Sequence, residues 1–166
     1  MFERILVPLD GYPLAEAILP QVKVLAKGLG SQVTLLHAIE PLPLDYVDSE
    51  LESYAAQASQ FAHPLAESYL ERIAQELTHE GVKADIKLIQ GKAPQEILAY
   101  TVREDVGLVA MSTHSHSGPG RWILGSTADR ILRSGERPVL LVRPCPNGVK
   151  GTALARLSGI VVPLDG

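Results

Sequence analysis

The sequence predicts an α/β protein: an open, doubly wound, five-stranded parallel sheet with helices on both faces. Three observations predict it. Short apolar runs recur five times between residues 5 and 142. Between them lie segments with apolar residues three and four apart, each long enough to carry a crossover helix from one parallel strand to the next. One run, residues 106–111, is almost uninterruptedly apolar, as expected of a strand covered on both faces. A flattened antiparallel α+β sheet would need tight hairpins, and these gaps are too long for them.

Taken in order, Ile5-Leu6-Val7-Pro8-Leu9 reads as a buried strand that ends in the turn Asp10-Gly11. Leu14, Ile18, Val22, Leu25 and Leu29 then mark an amphipathic helix, with Pro13 in its first turn and Gly28 and Gly30 at its end. Pro20 lies inside this pattern and should bend the helix, because it cannot donate to the carbonyl of Glu16. Residues 33–39 form the second strand. Residues 41–60 read as a surface excursion with a short helical piece at 51–58. A second helix is marked by Phe61, Leu65, Tyr69, Ile73 and Leu77, with Pro64 near its start. Val82, Ala84, Ile86 and Leu88 alternate with Lys83, Asp85 and Lys87, the pattern of an edge strand with one face in water. Gly91 and Pro94 open a third helix carrying Ile97, Leu98 and Val102, followed by the fourth strand at 106–111. A polar loop, residues 112–120, leads into a fourth helix with Trp122, Leu124, Ala128, Ile131 and Leu132, where Ser126 and Asp129 stand in capping-box register. Residues 138–142 are the fifth strand.

Composition narrows the function classes. At 46% hydrophobic and 20% charged residues the chain is globular. Its one cysteine, Cys145, excludes an internal disulfide framework and a four-cysteine metal site, and it has no evident base to make it a nucleophile. A net charge of -4 argues against a broad nucleic-acid or anionic-membrane surface, while leaving room for a local phosphate pocket built from backbone amides. No apolar run approaches the roughly 20 residues that span a bilayer. Met1-Phe2-Glu3-Arg4 runs directly into a strand without a signal-peptide pattern, so a cytoplasmic location is expected.

The end of the chain repeats its beginning. Ile160-Val161-Val162-Pro163-Leu164-Asp165-Gly166 matches Ile5-Leu6-Val7-Pro8-Leu9-Asp10-Gly11 except for Val161 in place of Leu6. The expected organisation is one complete domain over 1–146, a linker over 147–158, and at 159–166 the first strand of a truncated second copy.

In an open parallel sheet, ligands bind outside the carboxyl ends of the strands, where strand order reverses. Two edges qualify: Pro8-Leu9-Asp10-Gly11, and the loop 112–120 closing on Gly125-Ser126-Thr127. Free amides and the positive end of a helix make the second edge a ready anion site, to which the Ser126 and Thr127 hydroxyls can add donors. Each residue also has a plainer structural role open to it. Ser126 serves as an N-cap without any ligand, and Asp10 caps the helix entered at Pro13 equally well. His114 and His116 lie in a loop without a completing ligand set, so no metal is expected. His37 reads as a buried, satisfied histidine of the second strand.

Val7-Pro8-Leu9-Asp10-Gly11, Leu35-Leu36-His37-Ala38 and Met111-Ser112-Thr113-His114, continuing to Arg121-Trp122-Ile123-Leu124-Gly125-Ser126, resemble the universal stress protein family over about residues 2–143. The resemblance implies a five-stranded sheet of order 3-2-1-4-5. It also implies an adenine-nucleotide site in one branch of the family and none in the other. The ATP-binding branch carries Gly, two residues, Gly, nine residues, then Gly followed by Ser or Thr. Gly125-Ser126 matches the last pair, whereas Ser112 and Ser115 stand where the first two glycines belong. Carried over position by position, Asp10 falls near the adenosine. Pro8, Leu9, Ala38 and Met111 become lining residues, and Thr127 offers an amide to a phosphate. His116 stands where relatives often have arginine, and Tyr12 where they commonly have serine. A serine Cβ disfavours φ > 0 by about 1–2 kcal/mol, so a damaged phosphate loop is one expectation; serine hydroxyls acting as ligands are the other.

The implied function is an ATP-binding regulatory module, with Mg2+ accompanying the nucleotide. The alternative is a dimeric scaffold of the same fold that binds none. No paired carboxylates or Walker loop point to more than slow hydrolysis, since Gly91-Lys92 is followed by Ala93. An adenylate-forming enzyme would need second-substrate residues that are not in view. The resemblance further implies a homodimer that pairs the fifth strands, residues 138–142; no nucleic-acid or membrane partner is expected.

Overall fold

In the computed structural model, which describes residues 2–40, 49–113 and 125–144, strand and helix alternate as the periodicities require. β1 (Arg4–Pro8) leads through a short 3-10 helix (Ala15–Ile18) into α1 (Leu19–Leu29) and β2 (Gln32–Ile39). Then follow α2 (Ser49–His79), β3 (Ala84–Gln90), α3 (Ala93–Arg103), β4 (Leu108–Ser112), α4 (Ser126–Ser134) and β5 (Val139–Val142). All strand pairs are parallel, in the order β3-β2-β1-β4-β5, the doubly wound topology expected.

The pleat of the central strand divides the core in two. Ile5, Val7 and Leu9 point to one face, where they pack with Ile18, Val22, Leu70, Ile73 and Leu77 from the 3-10 helix, α1 and α2. Leu6 points to the other face and meets Ile97 and Tyr100 of α3 and Ala128 and Ile131 of α4. β4 alternates in step: Ala110 joins the first cluster, Val109 and Met111 the second. Both faces of the central strands are therefore dry, and an uninterrupted apolar sequence is the consequence. β3 alternates half-buried with exposed residues at the sheet edge, as its sequence predicted.

Several expectations about the helices are corrected. Pro20 does not bend a helix running from Leu14. The chain first makes the 3-10 turn, and α1 starts at Leu19, so Pro20 falls in its first turn, where its missing N–H costs nothing. Residues 49–60 are not a loop with a short helical piece. They belong to one 31-residue helix, α2, and Pro64 lies inside it rather than near its start. Phe61 and Leu65 are 65% and 69% exposed, although the sequence placed them on the buried stripe. Each step of four residues overshoots a helical turn by about 40°, so the stripe from Phe61 to Leu77 swings by about 160° around the axis. The buried stripe is instead Ala66, Leu70, Ile73 and Leu77. At α4 the N-cap is Gly125, with no side-chain cap, and Ser126 is the first helical residue. The capping box does not form, because Asp129 turns to Arg133 at 2.8 Å. Val82 and Val106 lie just outside β3 and β4 but are buried. The repeated segment 159–166 and the linker before it lie outside the described residues.

Two glycines have conformational reasons. Gly30 closes α1 in the left-handed region at φ 68°, donating to the Ala26 carbonyl. Gly11 takes φ 84° in the turn that follows β1, within 3.9 Å (as a built Cβ) of the His37 ring.

Leu70 and Leu65 make a direct test of the helix register. Leu70→Ala removes a fully buried side chain and should cost about 2–5 kcal/mol in urea unfolding, whereas Leu65→Ala should stay within about 0.5 kcal/mol of the parent.

Candidate functional site

The sheet opens where β1 and β4 part. β1 pairs with β2 through Pro8 opposite Leu36, but with β4 only as far as Leu6 opposite Val109. Beyond that register the two central strands send their chains to opposite sides. A cavity of about 710 Å³ fills the crevice. It lies where the topology places ligand sites in such sheets.

The β1 side is built around a tight turn. The Tyr12 amide donates to Asp10 Oδ1 at 3.0 Å, so Asp10 shapes the turn rather than capping a helix; the 3-10 helix that follows has no side-chain cap. This turn presents Pro8, Leu9, Asp10 and Tyr12 to the cavity. Tyr12 is 61% exposed, an aromatic ring at the rim. β2 adds Leu36, His37 and Ala38, and Glu40 follows at its end. β4 adds Met111 and Ser112, and α4 adds Gly125, Ser126, Thr127 and Ala128. Nine of the eleven residues singled out in the sequence thus converge: Pro8, Leu9, Asp10, Ala38, Met111, Ser112, Gly125, Ser126 and Thr127. Ser115 and His116 lie outside the described residues, as do His114 and Cys145.

Two helices point their amino ends at the cavity, and they differ. At α3 the Ala93 amide donates to Glu40 Oε1 at 3.1 Å, so a carboxylate of the protein already sits on that helix terminus. At α4 the N-cap residue, Gly125, offers the first turn no side chain, and the amides that follow it have no intrahelical acceptor. The positive end of the α4 dipole therefore faces the cavity beside the Ser126 and Thr127 hydroxyls.

Ser112 departs from both expectations for a glycine replacement. It is the last residue of β4, and its φ is not positive; Asp105 is the one non-glycine residue with positive φ among those described. No backbone strain attaches to serine here. Its hydroxyl is also committed, donating to the Leu14 carbonyl at 2.8 Å with the residue 3% exposed.

His37 and Glu40 are site residues that the sequence reading passed over. Their signal was present: both sit at the carboxyl end of the strand next to β1, the edge on which ligands fall. His37 is also less satisfied than expected. Its Nδ1 is buried among the described residues without a partner. Burial holds its pKa below the ordinary histidine value, against the opposing pull of the Leu9 hydrogen bond and the Asp10 charge. Near neutral pH its ring adds no positive charge to the cavity. Among the described residues, no group of three or more His, Cys, Asp or Glu side chains is placed to hold a metal ion, and no helix is long and apolar enough to cross a membrane.

Comparisons with known proteins agree with this architecture. A Thermus aquaticus universal stress protein, from the QAH/OAS sulfhydrylase 3' region, is 31% identical over 144 residues, covering 86% of this chain and 100% of its own. The solved structure of MJ0577 from Methanocaldococcus jannaschii superposes with a TM-score of 0.75 at 25% identity, over 88% of this chain and 99% of that one. An Archaeoglobus fulgidus universal stress protein, solved in complex with dAMP, shares the fold at a TM-score of 0.60 and 17% identity, over 85% of this chain and 98% of that one. The universal stress protein family model matches residues 1–143. With that match over most of the chain and a 31% identical relative covered along its whole length, the chain belongs to the universal stress protein family.

Proposed function

We propose that this chain is a regulatory module of stress response that binds an adenine nucleotide, ATP among them, in the crevice between β1 and β4. The observation that carries the reading is the contrast between the two helix ends. The α3 terminus is filled by Glu40, whereas the α4 terminus has no cap from its N-cap residue Gly125, and Ser126, Thr127 and Asp10 all line the cavity. A nucleotide has matching polarity, with phosphate oxygens for the α4 amides and ribose hydroxyls or an exocyclic amine for the acidic side. Pro8, Leu9, Ala38 and Met111 supply apolar walls for the base. The dAMP complex of the Archaeoglobus relative supports an adenine ligand on this fold. Magnesium would arrive with the phosphates of ATP. The residues around the crevice bind and orient, and none of them is assigned a bond-breaking role.

One observation favours a second reading, a scaffold of the same fold that binds no nucleotide: Ser112 stands at a motif glycine with its hydroxyl already engaged. Heating the purified protein and testing the supernatant for adenine absorbance and nucleotide mass separates the two. Calorimetry with AMP and ATP does the same for stripped protein. Nucleotide should be found, and complete absence of binding to either would overturn the first reading.

In both readings we propose that two copies pair through β5. It is a four-residue apolar edge strand, Val-Leu-Leu-Val, without the charges that guard β3. We also propose that the protein resides in the cytoplasm.

Three outcomes follow. Asp10→Ala should weaken nucleotide binding by about 1–3 kcal/mol in calorimetry with the circular dichroism spectrum retained, and unchanged affinity would remove Asp10 from the site. Sedimentation at micromolar concentration should show a dimer, and Leu141→Lys, which places a charge on the β5 edge, should shift it towards monomer; a monomeric parent chain defeats strand pairing. His37 supplies the third. Its folded pKa lies below its unfolded one, so the unfolded chain takes up the proton first as pH falls. Its contribution to stability is complete above the ordinary histidine pKa of about 6.5 and is lost as pH drops from there towards the folded value. Urea unfolding between pH 7.5 and 5.5 should therefore lose stability more steeply in the parent than in His37→Gln.

A further inference from the structure

We infer that Ser112 is a positioning residue that clamps the ligand-facing β1 turn across the open crevice. This inference rests on the proposed nucleotide site and deepens it. The β1–β4 ladder stops at Leu6 opposite Val109, so no backbone hydrogen bond in that ladder ties β1 to β4 at the mouth of the cavity. Pro8 has no N–H to extend it. One side-chain bond spans the gap instead: Ser112 Oγ donates to the Leu14 carbonyl at 2.8 Å, joining residues 98 apart in the chain. The bond is part-buried: Ser112, the donor, is 3% exposed, while Leu14 lies at the surface with 37% exposure. Ser112 is itself anchored on the other side, within the register that sets it opposite Val142, and the adjacent Thr113 amide donates to the Val142 carbonyl at 2.8 Å.

Leu14 sits at the hinge between the Asp10 turn and the 3-10 helix. Its carbonyl also accepts the Ala17 amide at 3.3 Å, and the Ala15 and Glu16 amides bond Tyr12 and Pro13 at 3.0 and 3.2 Å. The carbonyl thus takes two donors, one from its own turn and one from β4. Through Leu14 the clamp fixes the segment that carries both Asp10 and Tyr12, without Ser112 contributing its hydroxyl to a ligand. A glycine at position 112 cannot make this bond, so the serine is a gain of order in the β1 turn.

Ser112→Ala and Ser112→Gly, made in the full chain, test this. Hydrogen exchange on the unliganded protein should quicken at Ala15, Glu16 and Ala17 in both variants, while the α2 core around Leu70 and Ile73 keeps its protection. Both variants should bind AMP or ATP about three- to tenfold more weakly than the parent. In an Asp10→Ala background the Ser112→Ala loss should shrink towards nothing, because the clamp acts through the turn that Asp10 occupies. Unchanged exchange at Ala15–Ala17 overturns the clamp. Additive losses in the double variant overturn its action through the Asp10 turn. Tighter binding in Ser112→Gly with no change in Ser112→Ala also overturns it, and makes the serine side chain an obstruction. If the parent binds neither nucleotide, the functional reading fails by itself, and the exchange experiment still decides whether the clamp exists.

Discussion

The parting of β1 and β4 after a shared two-residue ladder is the constraint on which the functional end of this molecule depends. β1 follows β2 two residues further, to Pro8 opposite Leu36, while β4 turns away with β5. The chain leaving β1 crosses towards β2 and the chain leaving β4 crosses towards β5, so their loops cannot both cover the same ground. What remains is a crevice walled by strand ends below and helix starts at the side. The two dry faces of the sheet keep it open: Leu6 is locked against α3 and α4, Ile5 and Val7 against α1 and α2, and neither strand can slide to close the gap without exposing them.

The crevice inherits a polarity from this geometry. Strand ends bring Asp10 and Glu40, and helix starts bring amides. Glu40 neutralises the α3 terminus from within the protein, which leaves the α4 terminus as an electropositive part of a cavity that the Asp10 carboxylate also lines. His37 stands between the strand ends but is held neutral by burial. A ligand that combines an apolar surface, hydrogen-bond donors and an anion suits that lining better than a simple anion does, and this is the physical content of the nucleotide proposal.

Membership of the universal stress protein family goes with the fold, and two residues give the crevice of this chain its own character. Tyr12 places an aromatic ring at the rim, and Ser112 makes a part-buried bond to the Leu14 carbonyl. The two residues flank the same turn. They concern how firmly that turn is held more than what it is made of.

Periodicity and turn chemistry were enough to read five strands, their parallel winding, the exposed alternation of β3 and the carboxyl-edge location of Asp10, Gly125 and Ser126. Burial on two faces, or on one, writes itself directly into residue type. The strand order came with the family resemblance. Helix limits were less legible. The weak pattern before Phe61 hid the first part of α2, and a stripe spaced at four everywhere named Phe61 and Leu65 as buried when the helix had already rotated them into water. Ser126 had the type of an N-cap, but Gly125 took the position and Ser126 became the first helical residue. His37, Glu40 and the use made of Ser112 were decided by tertiary structure alone. Each depends on a partner far away in sequence: Leu9 for His37, Ala93 for Glu40, Leu14 for Ser112. Local sequence specifies which hydrogen-bonding groups a residue carries. Only the folded sheet brings a carbonyl from one side of the crevice within reach of a hydroxyl on the other.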